Sequence, residues 1–344
     1  MPQNQVTLRG PGMNKNKMPT AVFLYTTPHW AHAALASHLN AKFIKNTRKG
    51  ILKFPFIGKL MQAFIVQKKI PTCEIILCEG SSTDLFAGAI YKKLHPETKL
   101  IGIISDPKVP FMNSMPFFDR WTIKWSLKKA DLLLPSSKMM LEFIPREMQS
   151  KAKIFTPGFE SPIFLKQKPA LEKKNLSFVG LLSKHKGIDI LVDYFDKIKH
   201  FFPETSLYII GDGELLNLKK RNIGRVHFLG RKNPPVIQHA KLSSVYISLA
   251  RFEPAGTAIV EAMCMGLIPI VSNGVGHKEI VKKLSPRLIV NSPEELQRAL
   301  EFIWGDEKRL KELSKKAKQI GSKYTVKNMF GEFDAGLKTI LKKD

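Results

Sequence analysis

Two carboxylates stand on either side of a Gly-Thr pair in the stretch 250–281, ARFEPAGTAIVEAMCMGLIPIVSNGVGHKEIV. Thr257 can be the N-cap or a first-turn residue of a helix that carries Glu261, and Gly256 lets the backbone approach a ligand closely. The start of such a helix offers unpaired N–H groups and the positive end of the helix dipole, which bind phosphate oxygens. Glu261, about one turn into the helix, can accept hydrogen bonds from ribose hydroxyls, and Glu253 can do the same for a sugar. The pattern predicts a sugar-nucleotide site, although either carboxylate alone is also common in a loop or at a helix start.

A lysine beside a glycine occurs shortly after another predicted strand. Lys186 and Gly187 open a helical pattern, and Gly180 ends the preceding apolar run. A lysine next to a phosphate site neutralises charge on a departing diphosphate and lowers the barrier to its departure. The chain holds 55 Lys and Arg residues, so the alternative that Lys186 is an ordinary helix-start residue stays open.

Three polar side chains in the first half also follow predicted strands. His29 and His32 lie in the turn-like segment after AVFLY, and Asp106 ends the run that begins KLIGII. The two imidazoles can orient an acceptor or donate to phosphate, or they are ordinary surface residues. Asp106 is the better candidate for a group facing an acceptor, and its alternative is a turn residue before proline.

The elements that would position these residues alternate between apolar strands and helices. AVFLY, EIILCE, KLIGII and DLLLPS are typical of buried strands in the first half, and NLSFV, SLYII, RVHFL, VYISL and LIPIV in the second. Helical patterns separate most of them, which predicts an α/β protein with parallel sheets covered on both faces. Ligands of such sheets bind beyond the carboxyl ends of the strands, where the candidate residues fall.

Breaks in this alternation divide the chain, whose 344 residues exceed the usual size of one compact domain. We predict a disordered leader over 1–17, an N-terminal acceptor-side domain over 18–160, an interdomain linker over 161–174, a C-terminal nucleotide-sugar-binding domain over 175–322 and a closing amphipathic helix over 323–344. Two prolines and a run of charges indicate the linker.

The segments FVG, KGIDIL, YIIGDGE, VHFLGR and SLARFEPAGTAIVEAMCMGLIPIVSN, in this order, resemble the donor-binding domain of the family-four retaining glycosyltransferases, glycosyl transferases group 1. The spacing of Glu253 and Glu261 matches the signature of that family, and the resemblance covers most of the C-terminal half. In the first half, ADLLLPSSKMMLEFI and KAKIFTPGFESPIF are similar to two further family segments. The resemblance implies a GT-B fold: two facing Rossmann-like domains with parallel sheets, an interdomain cleft, and a final helix returning to the N-terminal domain.

The resemblance also implies retaining transfer of a hexosyl group from a nucleoside diphosphate sugar to an acceptor hydroxyl, with no metal and no other cofactor. It implies that Glu261 binds ribose, that Lys186 meets the diphosphate, and that Glu253 and the backbone at Gly256 and Thr257 meet sugar and phosphate. The predicted donor site also includes Gly180, Leu181, Gly211 and, in the loop facing the base, Arg231; the predicted catalytic residues are Glu253, Lys186 and Asp106.

The chain departs from the family pattern at three places. Leu181 stands where the family usually has Arg, and Lys184 or His185 can supply the missing cation. Ser105 and Asp106 stand where a histidine commonly ends the strand, and PHWAH replaces a glycine pair in the first loop. The alternative function is therefore a catalytically silent relative that binds sugar nucleotide without turning it over.

The net charge of +26 predicts an anionic partner. Residues 42–69, KFIKNTRKGILKFPFIGKLMQAFIVQKK, mix lysines with apolar side chains, and no Asp or Glu precedes Glu74. This mixture suits a segment lying on an anionic membrane and favours a glycan or lipid-linked acceptor; the alternative is that the apolar residues are helix core. A basic nucleic-acid-binding protein is a weaker alternative, because the sequence has no recognition motif of that class, so no nucleic-acid partner is expected.

Three cysteines without a C-x-x-C pair favour a reducing compartment and argue against disulfides or a zinc site. No apolar run is long enough to span a bilayer, and the first residues lack a signal-peptide core. We therefore predict a cytoplasmic protein, peripheral on the inner face of the membrane if the basic stretch binds lipid.

Overall fold

The computed structural model describes residues 20–47, 57–159, 161–231 and 241–341, and the predicted leader over 1–17 lies outside them. The chain forms two compact units, Met1–Pro157 with Lys327–Asp344, and Gly158–Val326. Among the described residues, each unit is built on a five-stranded parallel sheet.

The sheet of the first unit has the strand order β2-β1-β3-β4-β5. Its strands are β1 (Ala21–Tyr25), β2 (Lys42–Lys45), β3 (Ile75–Glu79), β4 (Lys99–Ile104) and β5 (Leu132–Pro135). The helices between and after them are α1 (Trp30–His38), α2 (Ile57–Gln67), α3 (Thr83–Leu94), α4 (Phe117–Lys129) and α5 (Lys138–Phe143).

The sheet of the second unit has the strand order β10-β9-β6-β7-β8. Its strands are β6 (Leu176–Val179), β7 (Leu207–Ile210), β8 (Val226–Gly230), β9 (Val245–Ser248) and β10 (Ile268–Val271). Its helices are α6 (Ser161–Leu165), α7 (Ile188–Ile198), α8 (Thr257–Met265), α9 (Lys278–Lys282), α10 (Pro293–Trp304) and α11 (Glu307–Gly321).

The last helix, α12 (Val326–Leu341), belongs almost entirely to the first unit. His38 at the end of α1 stacks on Phe330 with ring centroids 4.2 Å apart, and its Nε2 lies 2.9 Å from Asp334 Oδ1. The closing amphipathic helix therefore packs against α1.

The central strands are almost wholly apolar because helices cover both faces of a parallel sheet. Residues 75–78 of β3 are fully buried, as are residues 268, 270 and 271 of β10. Helix starts follow the expected capping chemistry: Ser137 accepts from the amide of Met140, and Ser292 accepts from the amide of Glu295 ahead of α10.

Both sheets contain a reversal of strand order, between β1 and β3 in the first unit and between β6 and β9 in the second. Ligands of open parallel sheets bind beyond the carboxyl ends of the strands at such reversals. The segments after β1, β3, β6 and β9 are therefore the places to look for a site.

Two features differ from the sequence prediction. One of the helical patterns between strands, GELLNLKKR at 213–221, forms a 3-10 helix, Glu214–Arg221, because the amide of Leu215 donates to the carbonyl of Leu182 and that of Leu216 donates to the carbonyl of Gly213, three residues back. The segment predicted as a linker, 161–174, begins with α6, which packs against α8 inside the second unit.

The basic stretch 42–69 contains strand β2 and helix α2, and its residues 48–56 lie outside the described part of the chain. Within the described ranges, no helix combines the length and the apolar character needed to cross a membrane.

Candidate functional site

The turn after β6 carries Lys186 to the strand-order reversal of the second unit. Lys184–Lys186 form a 3-10 turn that ends at Gly187, whose φ is +68°. A Cβ atom at Gly187 would lie 1.9 Å from the carbonyl oxygen of Leu249, at the end of β9. Only glycine lets this turn pack directly against the β9 segment.

The segment after β9 is tied to the same turn by several hydrogen bonds. The amides of Arg251 and Phe252 donate to the carbonyl of His185 at 2.9 and 3.2 Å. The Arg251 guanidinium donates to both Asp189 carboxylate oxygens, at 2.7 and 3.0 Å, and to the Lys184 carbonyl at 2.7 Å. Arg251 and Asp189 were not predicted from sequence, since no local spacing indicates a pair so far apart in the chain.

Lys186 and Glu253, two predicted site residues, form an ion pair in which Lys186 Nζ donates to Glu253 Oε2. Burial lowers the pKa of Lys186 to about 8, while the paired carboxylate favours its charged form. An anion that binds here must compete with Glu253 for the ammonium group, so binding would release Glu253 to other hydrogen-bond donors.

Helix α8 begins next to this ion pair without a side-chain cap. Gly256, which has no side chain, occupies the cap position with φ +91°, and no side-chain cap hydrogen bond is present there among the described residues. Of the two positions predicted for Thr257, the structure selects the first helical residue. The uncapped amides and the positive end of the dipole of α8 therefore lie beside Lys186 and Glu253.

A second loop, after β10, holds the start of α8 in place. The amide of Glu253 donates to Gly274 O at 2.9 Å, and that of Gly276 donates to Glu253 O at 2.8 Å. The amide of His277 donates to Ala255 O at 3.1 Å, and His277 Nδ1 lies 3.2 Å from Gly256 O. A carbonyl oxygen only accepts, so Nδ1 carries the proton and donates.

The His277 ring is buried, and burial lowers its pKa to about 4. The ring is therefore neutral near pH 7 and acts as a fixed donor to the segment from which α8 starts. The sequence analysis did not select His277, because a lone histidine after a strand has no distinguishing spacing.

We expect His277→Leu to weaken the binding of a nucleoside diphosphate by about tenfold, because it deletes a hydrogen bond to a buried carbonyl and loosens the Gly256 segment. His277→Asn keeps an N–H donor and should bind the same nucleotide within about threefold of the wild type. Isothermal titration calorimetry measures both affinities. Equal losses in the two variants would show that the hydrogen bond does not position the helix start.

Glu261 lies one turn into α8 and is half-buried, and burial raises its pKa to about 7. The neighbouring Tyr246 phenol lies 3.5 Å from the carbonyl oxygen of Val179 at the end of β6. Burial raises the pKa of Tyr246, and the nearby Glu261 carboxylate raises it further. The role of Glu261 in ribose binding stays a prediction.

The ends of β6, β7 and β8 lie level with one another. The amide of Gly180 donates to Ile210 O at 3.1 Å, and that of Gly211 donates to Gly230 O at 3.0 Å. Leu181 is 54% exposed directly after Gly180. Exposed Arg231 directly follows β8, and residues 232–240 of the predicted base-facing loop lie outside the described ranges.

The first unit holds a separate polar cluster at its own strand-order reversal. Glu79 Oε1, at the end of β3, accepts from the amide of His29 at 2.8 Å and lies 3.0 Å from His32 Nδ1. Glu79 Oε2 is buried and has no hydrogen-bond partner among the described residues. His29 is exposed, caps α1 and accepts from the amide of Ala31 at 3.4 Å, whereas His32 is buried. The sequence analysis missed Glu79.

Asp106 connects the ends of β3 and β4 within the first unit. Its carboxylate accepts from the amide and hydroxyl of Ser81 at 2.7 and 2.9 Å and from the amide of Lys108 at 2.8 Å. These contacts match the alternative of a turn residue before proline. A catalytic role for Asp106 stays a prediction.

Among the described residues, no three His, Cys, Asp or Glu side chains are arranged to hold a metal ion.

The chain is similar in sequence to known glycosyltransferases. Residues 161–320 match the family model "Glycosyl transferases group 1". An uncharacterized glycosyltransferase of Haemophilus influenzae is 28% identical over 173 residues, which are 47% of this chain and 48% of the relative. An uncharacterized glycosyltransferase of Methanocaldococcus jannaschii is 25% identical over 286 residues, 79% of this chain and 78% of the relative.

The crystal structure of Anabaena HepE in complex with UDP and glucose is similar in fold, with a TM-score of 0.72 and 17% identity. The match covers 93% of this chain and 100% of HepE. The chain thus spans about half of the first curated relative and the whole of this solved structure.

The two parallel five-stranded sheets and this likeness confirm the GT-B fold class. Residues 161–320, which match the glycosyl transferases group 1 model, contain the Lys186–Glu253 pair beside the start of α8.

Proposed function

We propose that the chain is a glycosyltransferase that moves a hexosyl group from a nucleoside diphosphate sugar to an acceptor hydroxyl, with retention at the anomeric carbon and without a metal or cofactor. The Lys186–Glu253 pair beside the uncapped start of α8 is the observation that supports this proposal most directly. The two relatives described as glycosyltransferases support the reaction class, and the UDP bound to HepE supports a nucleoside diphosphate donor.

In this proposal the amides of Thr257 and Ala258 and the ammonium of Lys186 bind the diphosphate, and Glu261 accepts from the ribose hydroxyls. The bond between the anomeric carbon and the diphosphate oxygen breaks as the acceptor oxygen forms its bond on the same face. The acceptor proton passes to the leaving phosphate oxygen. Fixed cationic and amide donors lower this barrier because negative charge grows on the leaving group in the transition state.

Glu253 has a second part in the same step. Once the diphosphate has drawn Lys186 away, the freed Glu253 carboxylate can accept from a hydroxyl of the transferred sugar. This exchange of partners would couple the binding of the diphosphate to the orientation of the sugar.

We further propose that a glycan or lipid-linked acceptor binds to the first unit. His29, His32 and Asp106 are the residues predicted from sequence, and Glu79 joins them through its contacts with His29 and His32. The unpartnered Glu79 Oε2 can accept from an acceptor hydroxyl if a local movement exposes it.

A thermal-shift panel of UDP, GDP, ADP and their sugars tests the donor proposal. A nucleotide that binds the folded state raises the midpoint of unfolding by mass action, so one base should raise it clearly more than the others. Absence of any shift at millimolar nucleotide, combined with salt-sensitive binding of an oligonucleotide, would instead favour a nucleic-acid-binding protein.

Glu261→Gln separates a binding role of this residue from a structural one. The folded-state pKa of about 7 lies above the unfolded value near 4.5, so the wild type loses stability as pH rises between these values. At pH 8 the variant should therefore unfold at a higher temperature than the wild type, by on the order of 2 kcal/mol in free energy of unfolding. Its nucleotide-induced shift should nevertheless shrink, and an unchanged shift would exclude Glu261 from the ribose site.

A catalytically silent sugar-nucleotide-binding relative is the second candidate. Leu181 places an exposed apolar side chain directly after β6, where the resembled family usually has Arg. Hydrolysis of the donor identified by the panel, measured for the wild type and Glu253→Gln, distinguishes the two candidates. A wild type that binds donor without any turnover above that of Glu253→Gln would support the silent relative.

A further inference from the structure

Helix α2 carries an apolar face that points to solvent. Ile57 is 63% exposed and Phe64 47%, and Met61 and Ile65 are exposed beside them. These four positions share one side of the helix because Met61, Phe64 and Ile65 follow Ile57 by four, seven and eight residues. The opposite side, at positions 58, 62, 63 and 66, is buried and packs against α3.

Helix α4 repeats this arrangement. Phe117 is 74% exposed and Trp121 45%, and Lys124 and Lys128 continue the same side of the helix. Positions 122, 123, 126 and 127, on the opposite side, are buried.

The two exposed faces belong to one surface. Both helices pack against α3, which itself packs on β3 and β4 and is buried at every position from 83 to 91. Lys59 Nζ donates to Asp119 Oδ1 and so joins the N-terminal ends of α2 and α4. We call the exposed side chains at positions 57, 61, 64, 65, 117, 121, 124 and 128 the α2–α4 surface.

The charge around the α2–α4 surface has one sign. Residues 57–69 and 117–129 contain seven lysines and arginines and a single carboxylate, Asp119, which is already paired with Lys59. Exposed Lys68, Lys69 and Lys129 lie at the ends of the two helices. Solvent-facing aromatic and aliphatic groups bordered by unpaired cations complement an anionic lipid surface. A second copy of the same surface would be repelled by its like charge.

We propose that the α2–α4 surface docks on an anionic lipid bilayer, with Phe64, Phe117 and Trp121 entering the headgroup region and the lysines contacting lipid phosphates. From sequence, the membrane-binding segment was predicted over residues 42–69. The proposed surface includes only α2 from that segment, and it adds α4, which was not predicted to bind lipid. It stands independently of the glycosyl-transfer proposal.

One end of the α2–α4 surface lies on the side of the first unit where an acceptor is proposed to bind. Along the chain, α2 follows β2 and α4 follows β4, so the N-terminal ends of α2 and α4 lie on the strand-end side of the sheet that also carries Glu79 and Asp106. A protein docked through this surface holds that side of the first unit close to the lipid headgroups. This is where a lipid-linked acceptor would present its sugar.

The test measures co-sedimentation of the full chain with vesicles of phosphatidylcholine alone and of equal parts phosphatidylcholine and phosphatidylglycerol. The wild type should bind the anionic vesicles at low salt and be released at high salt.

The double variant Phe64→Ser with Phe117→Ser should lower the partition constant about tenfold. The double variant Lys124→Glu with Lys128→Glu should lower it about a hundredfold. Phe201→Ser, at a side chain of the second unit that is 53% exposed, and Lys197→Glu in α7 are the matched controls and should bind like the wild type.

Fluorescence gives a second measurement that does not depend on the stability of the serine variants. On binding to anionic vesicles the wild type should show a blue shift of tryptophan emission, and Trp121→Phe should bind equally but lose most of the shift. The proposal is overturned if the wild type does not sediment with anionic vesicles at low salt, or if the surface variants and the controls bind alike. The thermal shift that nucleotide induces is measured for the same variants. It should equal that of the wild type, because the donor site lies in the second unit, so loss of lipid binding can be distinguished from loss of nucleotide binding.

Discussion

Replacing Lys186 with Met is expected to weaken the binding of the nucleoside diphosphate selected by the thermal-shift panel, UDP in the simplest case, by about a hundredfold, or about 3 kcal/mol. The substitution removes the ammonium nearest to the start of α8 and leaves the Glu253 carboxylate without its partner. An unpaired, half-buried carboxylate costs free energy by itself and also repels an incoming diphosphate. Titration calorimetry with UDP measures the loss, and Lys197→Met, which removes an exposed lysine from α7 of the same unit, should bind UDP normally.

The pH dependence of nucleotide binding independently tests whether Lys186 contacts the diphosphate. With a pKa of about 8, free Lys186 loses its proton as pH rises from 7 to 9. Bound diphosphate favours the protonated form, so UDP affinity should fall over that interval. Lys186→Arg stays charged throughout and should remove this dependence. A wild-type affinity that is constant between pH 7 and 9 would contradict contact between Lys186 and the diphosphate.

Gly187→Ala is expected to lower the free energy of unfolding of the second unit by about 3 kcal/mol and to abolish detectable nucleotide binding. The new Cβ would lie 1.9 Å from the Leu249 carbonyl oxygen, and the backbone there has a positive φ that side chains disfavour. Since the clashing atom belongs to the backbone of the β9 segment, a side-chain rotation cannot relieve it. The turn with Lys186 must move away from the segment with Glu253.

Thermal unfolding of Gly187→Ala is compared with that of Gly224→Ala and Gly331→Ala. A Cβ at either control position meets no atom within 4 Å. Gly331 lies inside α12, where alanine should stabilise the helix by about 0.5–1 kcal/mol. If Gly187→Ala unfolds and binds nucleotide like these controls, the close packing of the turn on β9 is not required for the site.

The fold class was predictable from the sequence because apolar strands and amphipathic helices alternate with few interruptions. EIILCE and KLIGII became the buried strands β3 and β4, and TAIVEAMCMG became α8. The pattern was less informative near 214–221, where hydrogen bonds to the distant Leu182 segment favour a 3-10 helix. In the segment 161–174, whose prolines suggested a linker, Ser161–Leu165 forms α6, which packs on α8.

The residue types at the candidate donor site were also predictable. Lys186, Glu253, Gly256 and Thr257 stand at strand ends and helix starts, where the sequence alone indicates phosphate and hydroxyl chemistry. The sequence did not indicate what supports them. Arg251, Asp189 and His277 gain their roles only from hydrogen bonds to segments distant in the chain.

The sequence by itself thus determined the alternation of elements, the residue types at the strand ends and the excess of positive charge, because these follow from local propensity and composition. Only the tertiary structure decided that Glu253 neutralises Lys186, that Glu79 holds His29 and His32, and that α2 and α4 share one solvent-facing surface. These pairings depend on which strands are neighbours and how helices pack over them. That is a property of non-local contacts, which no spacing along the chain encodes.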